Sequence, residues 1–408
     1  MNRRVNNVIV VSDYAGVGGG ASQIAVLTAQ ILLKEGYNVV FFSAYGEGGE
    51  SFDGMRLVVT GDKPFLEQAS KAKGALEGIY SQRVYKALCD LLVDYDPADT
   101  VLHIHSWTHG LSSSIFDAIA DCGFRSVCTL HEYFLKCPNG GFFDYKRQEI
   151  CKLEACSAAC LARNCDKRSY AQKLYRVVRL KRQNESIKRA KPKPCYLSSF
   201  TYGWLRGSVL DDGRPTYLPN PISVESGCEP SRLEDRRGYL FVGRMDPEKN
   251  PRLFCEALTR MGLPGTLCGD GPLLDELKRE FPNLDFLGWC GKGEIAKRAR
   301  ANKALILASY WLEASPLVCL EAMFAAAIPS VVPDTCGATA YIDDGVNGLW
   351  FKNGSVDSLC DALRRLEDPV FYAAMCANVE SGLPALREDR SYETYAKRLA
   401  DIYEGLYE

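Results

Sequence analysis

Short apolar runs rich in β-branched and aromatic residues alternate with helical patterns along almost the whole chain. "VIVVSDY" precedes an Ala/Ile/Leu pattern over Ala21–Leu33 and then "YNVVFFSA", while "TVLHIHS" precedes a helical stretch at Ser113–Asp121 and then "FRSVCTLHE". A repeated strand-then-helix order buries its strands as a parallel sheet covered by helices on both faces. After the turn-rich "DDGRPTYLPNPISVESGCEPSRLEDRR" the order resumes with "GYLFVGR", a helix over Arg252–Arg260, "GTLCGDG" and a helix over Leu273–Glu280. It closes with "LDFLGW", "KALILAS", a helix opened by Pro316, "IPSVVPD" and an amphipathic tail, "SYETYAKRLADIYEGLY". The pattern predicts two doubly wound α/β units in tandem, in keeping with 408 residues against the roughly 250–300 that a single core sustains. We set the boundaries at 1–215, 216–388 and a terminal helix at 389–408.

In open parallel sheets, ligands bind beyond the carboxyl ends of the strands, and two facing units would leave a cleft between them. Residues just past the expected strands are therefore the candidates. Gly16, Gly18, Gly19 and Gly20 follow the first strand, where glycines admit a ligand to the backbone and a helix start favours an anion. A plain turn that merely opens a helix would read the same. All four histidines fall between residues 103 and 131. His131 directly ends its strand and is the preferred site residue, whereas His103 lies within a strand and reads as a buried, hydrogen-bonded core residue.

The second unit places Arg244 and Lys249 just past "YLFV", a pair that suits a diphosphate or else forms a solvated charge pair. Gly269 and Gly271 form another turn after a strand. In "YWLEASPLVCLEA", Ser315 is expected as N-cap with Pro316 at the first helical position. Glu313 then precedes the helix and Glu321 lies inside it, where a carboxylate can accept from sugar or ribose hydroxyls. The amides of Ser315, Pro316, Leu317 and Val318 mark the stretch that would face an anion, although Pro316 itself has no N–H to give.

The net charge is −2, which gives no global argument for nucleic acid. No run approaches the roughly 18 apolar residues of a membrane span, and the apolar run Val8–Val11 is too short for a signal peptide. Seventeen cysteines scattered through apolar runs read as reduced thiols in a cytoplasmic compartment.

The E-x7-E spacing of Glu313 and Glu321, "GRMDPEKN", "CGDGP", the glycine loop and His131 together resemble the retaining glycosyltransferases of family 4, with the GT-B fold. The resemblance covers nearly the whole chain and is specific in the C-terminal half. It implies a terminal helix packing back on the first domain. It implies a UDP- or GDP-sugar donor whose sugar meets Glu313, whose ribose meets Glu321, and whose diphosphate is neutralised by Arg244 and Lys249. Gly19 and Gly20 would approach the phosphate and sugar, and His131 would sit beside the reacting sugar. No catalytic metal is implied, and no Asp-x-Asp pair is placed for Mg²⁺. An epimerase of the same fold, or an inactive nucleotide-sugar scaffold, are the rival readings.

After His131, an insert over 137–193 carries Cys137, Cys151, Cys156, Cys160 and Cys165. Similar inserts occur in family members of exopolysaccharide and capsule assembly. Reduced thiolates at these spacings could hold a structural zinc, with unpaired buried thiols or a redox-labile loop as alternatives. The basic stretch 167–193, with Leu174, Val177, Val178 and Leu180 beside its cations, suits an anionic membrane surface. A solvated helix or a patch for an anionic acceptor fits it too. The acceptor would be a glycan or a polyprenyl-diphosphate-linked glycan, handled at the inner face of the cytoplasmic membrane.

Overall fold

The apolar run at the start becomes a central strand, β1 (Asn7–Tyr14), with β2 (Asn38–Tyr45) and β4 (Thr100–Ile104) parallel on either side. The computed structural model describes residues 4–16, 18–61, 63–222 and 232–408. With β3 (Arg56–Val59), β5 (Arg125–Leu130), β6 (Lys193–Tyr196) and β7 (Thr216–Tyr217), the sheet has the order β3-β2-β1-β4-β5-β6-β7. Every residue of β4 is buried, the mark of a strand covered on both faces. Helix α1 (Gly20–Lys34) opens straight after the glycine loop.

The second sheet, all parallel, runs β10-β9-β8-β11-β12-β13. Its strands are β8 (Tyr239–Val242), β9 (Gly265–Cys268), β10 (Asp285–Gly288), β11 (Ala304–Ile306), β12 (Ser330–Pro333) and β13 (Gly348–Phe351). Successive residues of β8 feed opposite layers: Tyr239 and Phe241 join one core cluster and Leu240 the other. The helices that serve this sheet's ligand edge are α3 (Pro251–Met261) and α4 (Leu317–Ala326).

Contacts divide the chain into a first unit, Met1–Arg147, Cys151–Pro221 and Tyr392–Glu408, and a second that is chiefly Ile222–Ser391. The division falls within the turn-rich stretch, of which 223–231 lie outside the described residues. The terminal helix α5 (Tyr392–Glu404) is part of the first unit's core, as Tyr395, Leu399 and Tyr403 cluster with Val8, Val10 and Val101. Tyr395 also hydrogen-bonds Thr28 of α1 at 2.9 Å. The expected doubly wound architecture, with the last helix returning to the first domain, is thus the one observed.

Candidate functional site

In each sheet the strand order reverses beside the first strand, and the loops leaving the two central strands there can embrace a ligand. In the second unit those loops follow β8 and β11, and both carry charge. Asp246 organises the first: its Oδ1 accepts from the Lys249 backbone N–H at 3.0 Å and its Oδ2 pairs with Arg244 at 3.0 Å. The Arg244 side chain remains 66% exposed.

Lys249 instead pairs its Nζ directly with Glu313 Oε1 and lies 5.7 Å from the centre of the Trp311 ring. The same carboxylate oxygen accepts from Ser309 Oγ at 2.7 Å and Trp311 Nε1 at 3.0 Å. Burial works against ionisation of Glu313, but the adjacent Lys249 charge and these hydrogen bonds outweigh it and hold the carboxyl below its ordinary range. The second oxygen, Oε2, accepts no hydrogen bond among the described residues and is left for a ligand. Glu321 is the contrary case. Burial pushes its carboxyl up, Lys292 opposes this only partly, and no hydrogen bond or ion pair supports it among the described residues.

Glycines set the backbone here. Gly337 donates to the Glu313 carbonyl at 2.7 Å, and a Cβ on it would stand 2.0 Å from the Ala314 oxygen. Gly269 and Gly271, expected as donor contacts, have φ of +151° and +152° and press on the Gly243 and Met245 carbonyls. Their close fit to the β8 exit loop is a sufficient reason for glycine there. Helix α4 begins one residue later than expected: Pro316 occupies the cap position in an extended conformation and Ser315 caps nothing. The reason is local, since ψ of 106° at Pro316 keeps it outside the helix. The amides of Leu317 and Val318 are therefore the first ones lacking an intrahelical partner.

In the first unit, a cleft of about 1240 Å³ opens at the carboxyl edge of the sheet, lined among others by Tyr14, Gly19, Gly20, Tyr45, His109 and Glu132. A Cβ at Gly19 or Gly20 would meet nothing, so these residues border open space, whereas Gly16 and Gly18 pack on the Tyr14 ring. Asp13, buried at the end of β1, accepts from the N–H groups of His109, Gly110 and Leu111 at 2.8–2.9 Å and fixes the loop after β4. An acidic residue closing an otherwise apolar strand was the available signal for it.

His103 is buried and hydrogen-bonded, at 2.7 Å to both Tyr403 and Thr129, as its place within a strand implied. His131 stands directly after β5, and its Nε2 is 2.9 Å from His105 Nδ1. Burial lowers the pKa of His131 to about 4, so its ring is neutral at physiological pH.

In the insert a lysine stands beside two of the cysteines, and several cations of the basic stretch turn toward carboxylates. Lys173, only 1% exposed, puts its ammonium 3.0 Å from Cys165 Sγ and 3.3 Å from Cys160 Sγ. Among the described residues no three His, Cys, Asp or Glu side chains gather to hold a metal ion. An ammonium held against two of the thiols does not fit a zinc site there. In the helix α2 (Tyr170–Ala190), the expected apolar strip splits, with Val177 and Leu180 buried and Leu174 and Val178 exposed. Several of its cations are engaged inward. Arg182 and Arg189 clasp Asp117 at 2.5 and 2.6 Å, and Arg176 pairs with Asp166 at 3.1 Å. Sequence spacing could not reveal Asp117, which lies more than sixty residues before Arg182 and Arg189. Among the described residues, no helix is long and apolar enough to cross a membrane.

Residues 229–377 match the family model described as glycosyl transferases group 1. This stretch is a glycosyl transferases group 1 domain. Among similar proteins is a UDP-Gal:alpha-D-GlcNAc-diphosphoundecaprenol alpha-1,3-galactosyltransferase of Escherichia coli, 29% identical over 194 residues, covering 41% of this chain and 49% of that protein. A GDP-mannose-dependent alpha-mannosyltransferase of Corynebacterium glutamicum is 26% identical over 207 residues, covering 50% and 47%. The match thus spans about half the length of these curated relatives. The Anabaena HepE structure in complex with UDP superposes with a TM-score of 0.68 at 15% identity, covering 98% of this chain and all of that one. At that identity the likeness speaks for the fold, which is GT-B.

Proposed function

We propose that this group 1 chain transfers a sugar from a nucleotide-diphosphate donor to a hydroxyl of a glycan or lipid-linked glycan, with retention at the anomeric carbon. The observation that carries this reading is the grouping of Lys249, Glu313 and an exposed Arg244 on the two loops at the second unit's switch point. As the sugar departs, negative charge builds on the diphosphate. Fixed cations and the leading amides of α4 stabilise that charge more in the transition state than in the bound donor. Glu313 Oε2 accepts from donor-sugar hydroxyls, while its Oε1 keeps Lys249 in place. Glu321, desolvated and unsupported, accepts from the nucleotide's ribose. Attack on the same face as departure needs no enzyme nucleophile, and Glu313, tied to three donors, is poorly disposed to be one. His131 lies beside the reacting sugar.

The lipid-linked acceptor is supported by the E. coli relative, whose substrate is a diphosphoundecaprenol. We assign the transfer to bacterial surface polysaccharide synthesis, a reading supported by the lipid-diphosphate acceptor in that relative's name. The exposed Tyr170, Leu174 and Val178 of α2, with Lys181 on the same face, would meet an anionic membrane surface.

The test is a panel of UDP- and GDP-sugars incubated with and without glycan acceptors. Acceptor-dependent release of nucleotide diphosphate is the expected result. Conversion of the donor sugar without acceptor would make the chain an epimerase, and binding without turnover under any pairing would make it a scaffold.

A further inference from the structure

Three imidazoles are stacked under the first unit's ligand edge. His103 and His105 have ring centroids 4.4 Å apart, and His105 and His131 are 5.2 Å apart with planes 18° from parallel. Burial holds all three neutral, His103 at about 3 and His105 well below its ordinary value. A neutral imidazole has one N–H and one lone pair. His103 uses both its nitrogens on Tyr403 and Thr129. The 2.9 Å contact between His105 Nδ1 and His131 Nε2 must therefore contain one proton, from one ring or the other.

The far nitrogen of His105 decides which. His105 is 2% exposed, and its Nε2 is buried with no hydrogen-bond partner among the described residues. If His131 were the donor, the single proton of His105 would sit on that Nε2 as a buried, unpartnered N–H. Orphaned buried donors are rarer than under-used acceptors, because their desolvation is not recovered. With the proton on Nδ1 instead, the buried Nε2 is only an unused lone pair.

We propose that His105 is a positioning residue: its Nδ1–H donates to His131 Nε2 and fixes His131 as the Nδ1–H tautomer. The half-buried His131 then offers a ligand a hydrogen-bond donor and has no free basic nitrogen. It is set to hold an oxygen of a bound sugar, and it is unsuited to take a proton from the acceptor hydroxyl. Only this last consequence rests on the proposed transfer reaction; the tautomer itself does not. The partner's hydrogen bond sets the tautomer, as it does in metal-binding and catalytic histidines.

The experiment is a long-range ¹H–¹⁵N correlation spectrum of the uniformly labelled full chain near neutral pH. The chain has four histidines, and His131 is assigned with His131→Gln. The expected pattern for His131 is a protonated Nδ1 and an unprotonated Nε2. A protonated Nε2 in the wild-type protein overturns the proposal and needs no folded variant. His105→Phe, which keeps a ring in the stack, should release His131 toward the Nε2–H form. His105→Asn, whose amide N–H stands near the Nδ1 position, should restore the Nδ1–H form. If His131 keeps one tautomer in all three proteins, His105 does not set it and the proposal fails. Turnover is read separately: His105→Phe should lower it roughly tenfold with little change in KM for the donor, and His105→Asn should recover most of the loss. A wild-type spectrum as expected with turnover unchanged in His105→Phe leaves the tautomer standing and removes His131 from the transfer reaction.

Discussion

The two charged pairs of the second unit look alike in sequence, but removing a member should have different consequences. Arg244 is mostly solvated, so Arg244→Ala should change stability by less than about 0.5 kcal/mol while lowering turnover at least tenfold. Lys249 is the cation that compensates a largely buried Glu313 carboxylate. Lys249→Ala leaves that carboxylate unpaired and should cost on the order of 1–3 kcal/mol as well as turnover. Adding Glu313→Gln to Lys249→Ala should recover stability but not activity, which a double-mutant cycle by chemical denaturation and donor turnover resolves. Equal stability losses for Arg244→Ala and Lys249→Ala would contradict this assignment. Glu321 shows the opposite electrostatics. Its folded-state pKa is raised, so its ionised form costs stability near neutral pH, and Glu321→Gln should be neutral or stabilising while weakening nucleotide binding.

At the scale of elements, loops and caps matter more than helices themselves. Gly269 has φ of +151° and a Cβ there would come within 1.8 Å of the Gly243 oxygen. Gly269→Ala should destabilise the second unit by about 2–4 kcal/mol, seen as a lowered denaturation midpoint, and a loss under about 0.5 kcal/mol would contradict the close approach. The sequence marked the places of β1, β2, β4, β5 and β8–β12 and of the helices α1 and α3, because periodicity and flanking glycines and prolines are local properties, whereas the short β3, β6, β7 and β13 were not marked. It located Arg244, Lys249 and Glu313 at strand exits and Glu321 inside the helix that follows for the same reason. It did not reveal Ser309 and Trp311 converging on Glu313, which depends on how their shared loop folds back on itself, nor Gly337 supporting its backbone, which depends on where another loop returns. The basic run 167–193 gave no sign of its distant carboxylate partners for a related reason. Its opposing carboxylates, Asp117 and Asp121, come from a helix far earlier in the chain. The cysteines of the insert gave spacing but no hint that Lys173 would stand among them.

For the molecule as a whole, the buried histidines tie stability to pH. His103 titrates near the ordinary 6.5 when unfolded and at about 3 when folded. The unfolded chain therefore binds more protons between those values, so stability is complete above about pH 6.5 and is lost as pH falls toward the folded value. His103 alone should cost about 2 kcal/mol between pH 7 and pH 5, with His131 adding to it. A first-unit unfolding midpoint that does not fall over this range would contradict the buried, neutral stack. The terminal helix is coupled to the same stack: Tyr403→Phe removes the hydroxyl on His103 and should cost about 1–3 kcal/mol.

The central claim is that the second unit grips a nucleotide diphosphate through Arg244, Lys249, Glu313 and Glu321, and calorimetric titration of the full chain tests it most directly. UDP and GDP are each titrated into the wild-type protein, Arg244→Ala and Glu321→Ala. One of the two nucleotides should saturate a single wild-type site, and each substitution should weaken it tenfold or more, about 1.4 kcal/mol, with the fold intact. Neither nucleotide binding the wild type, or both variants binding as tightly as it does, would contradict the claim.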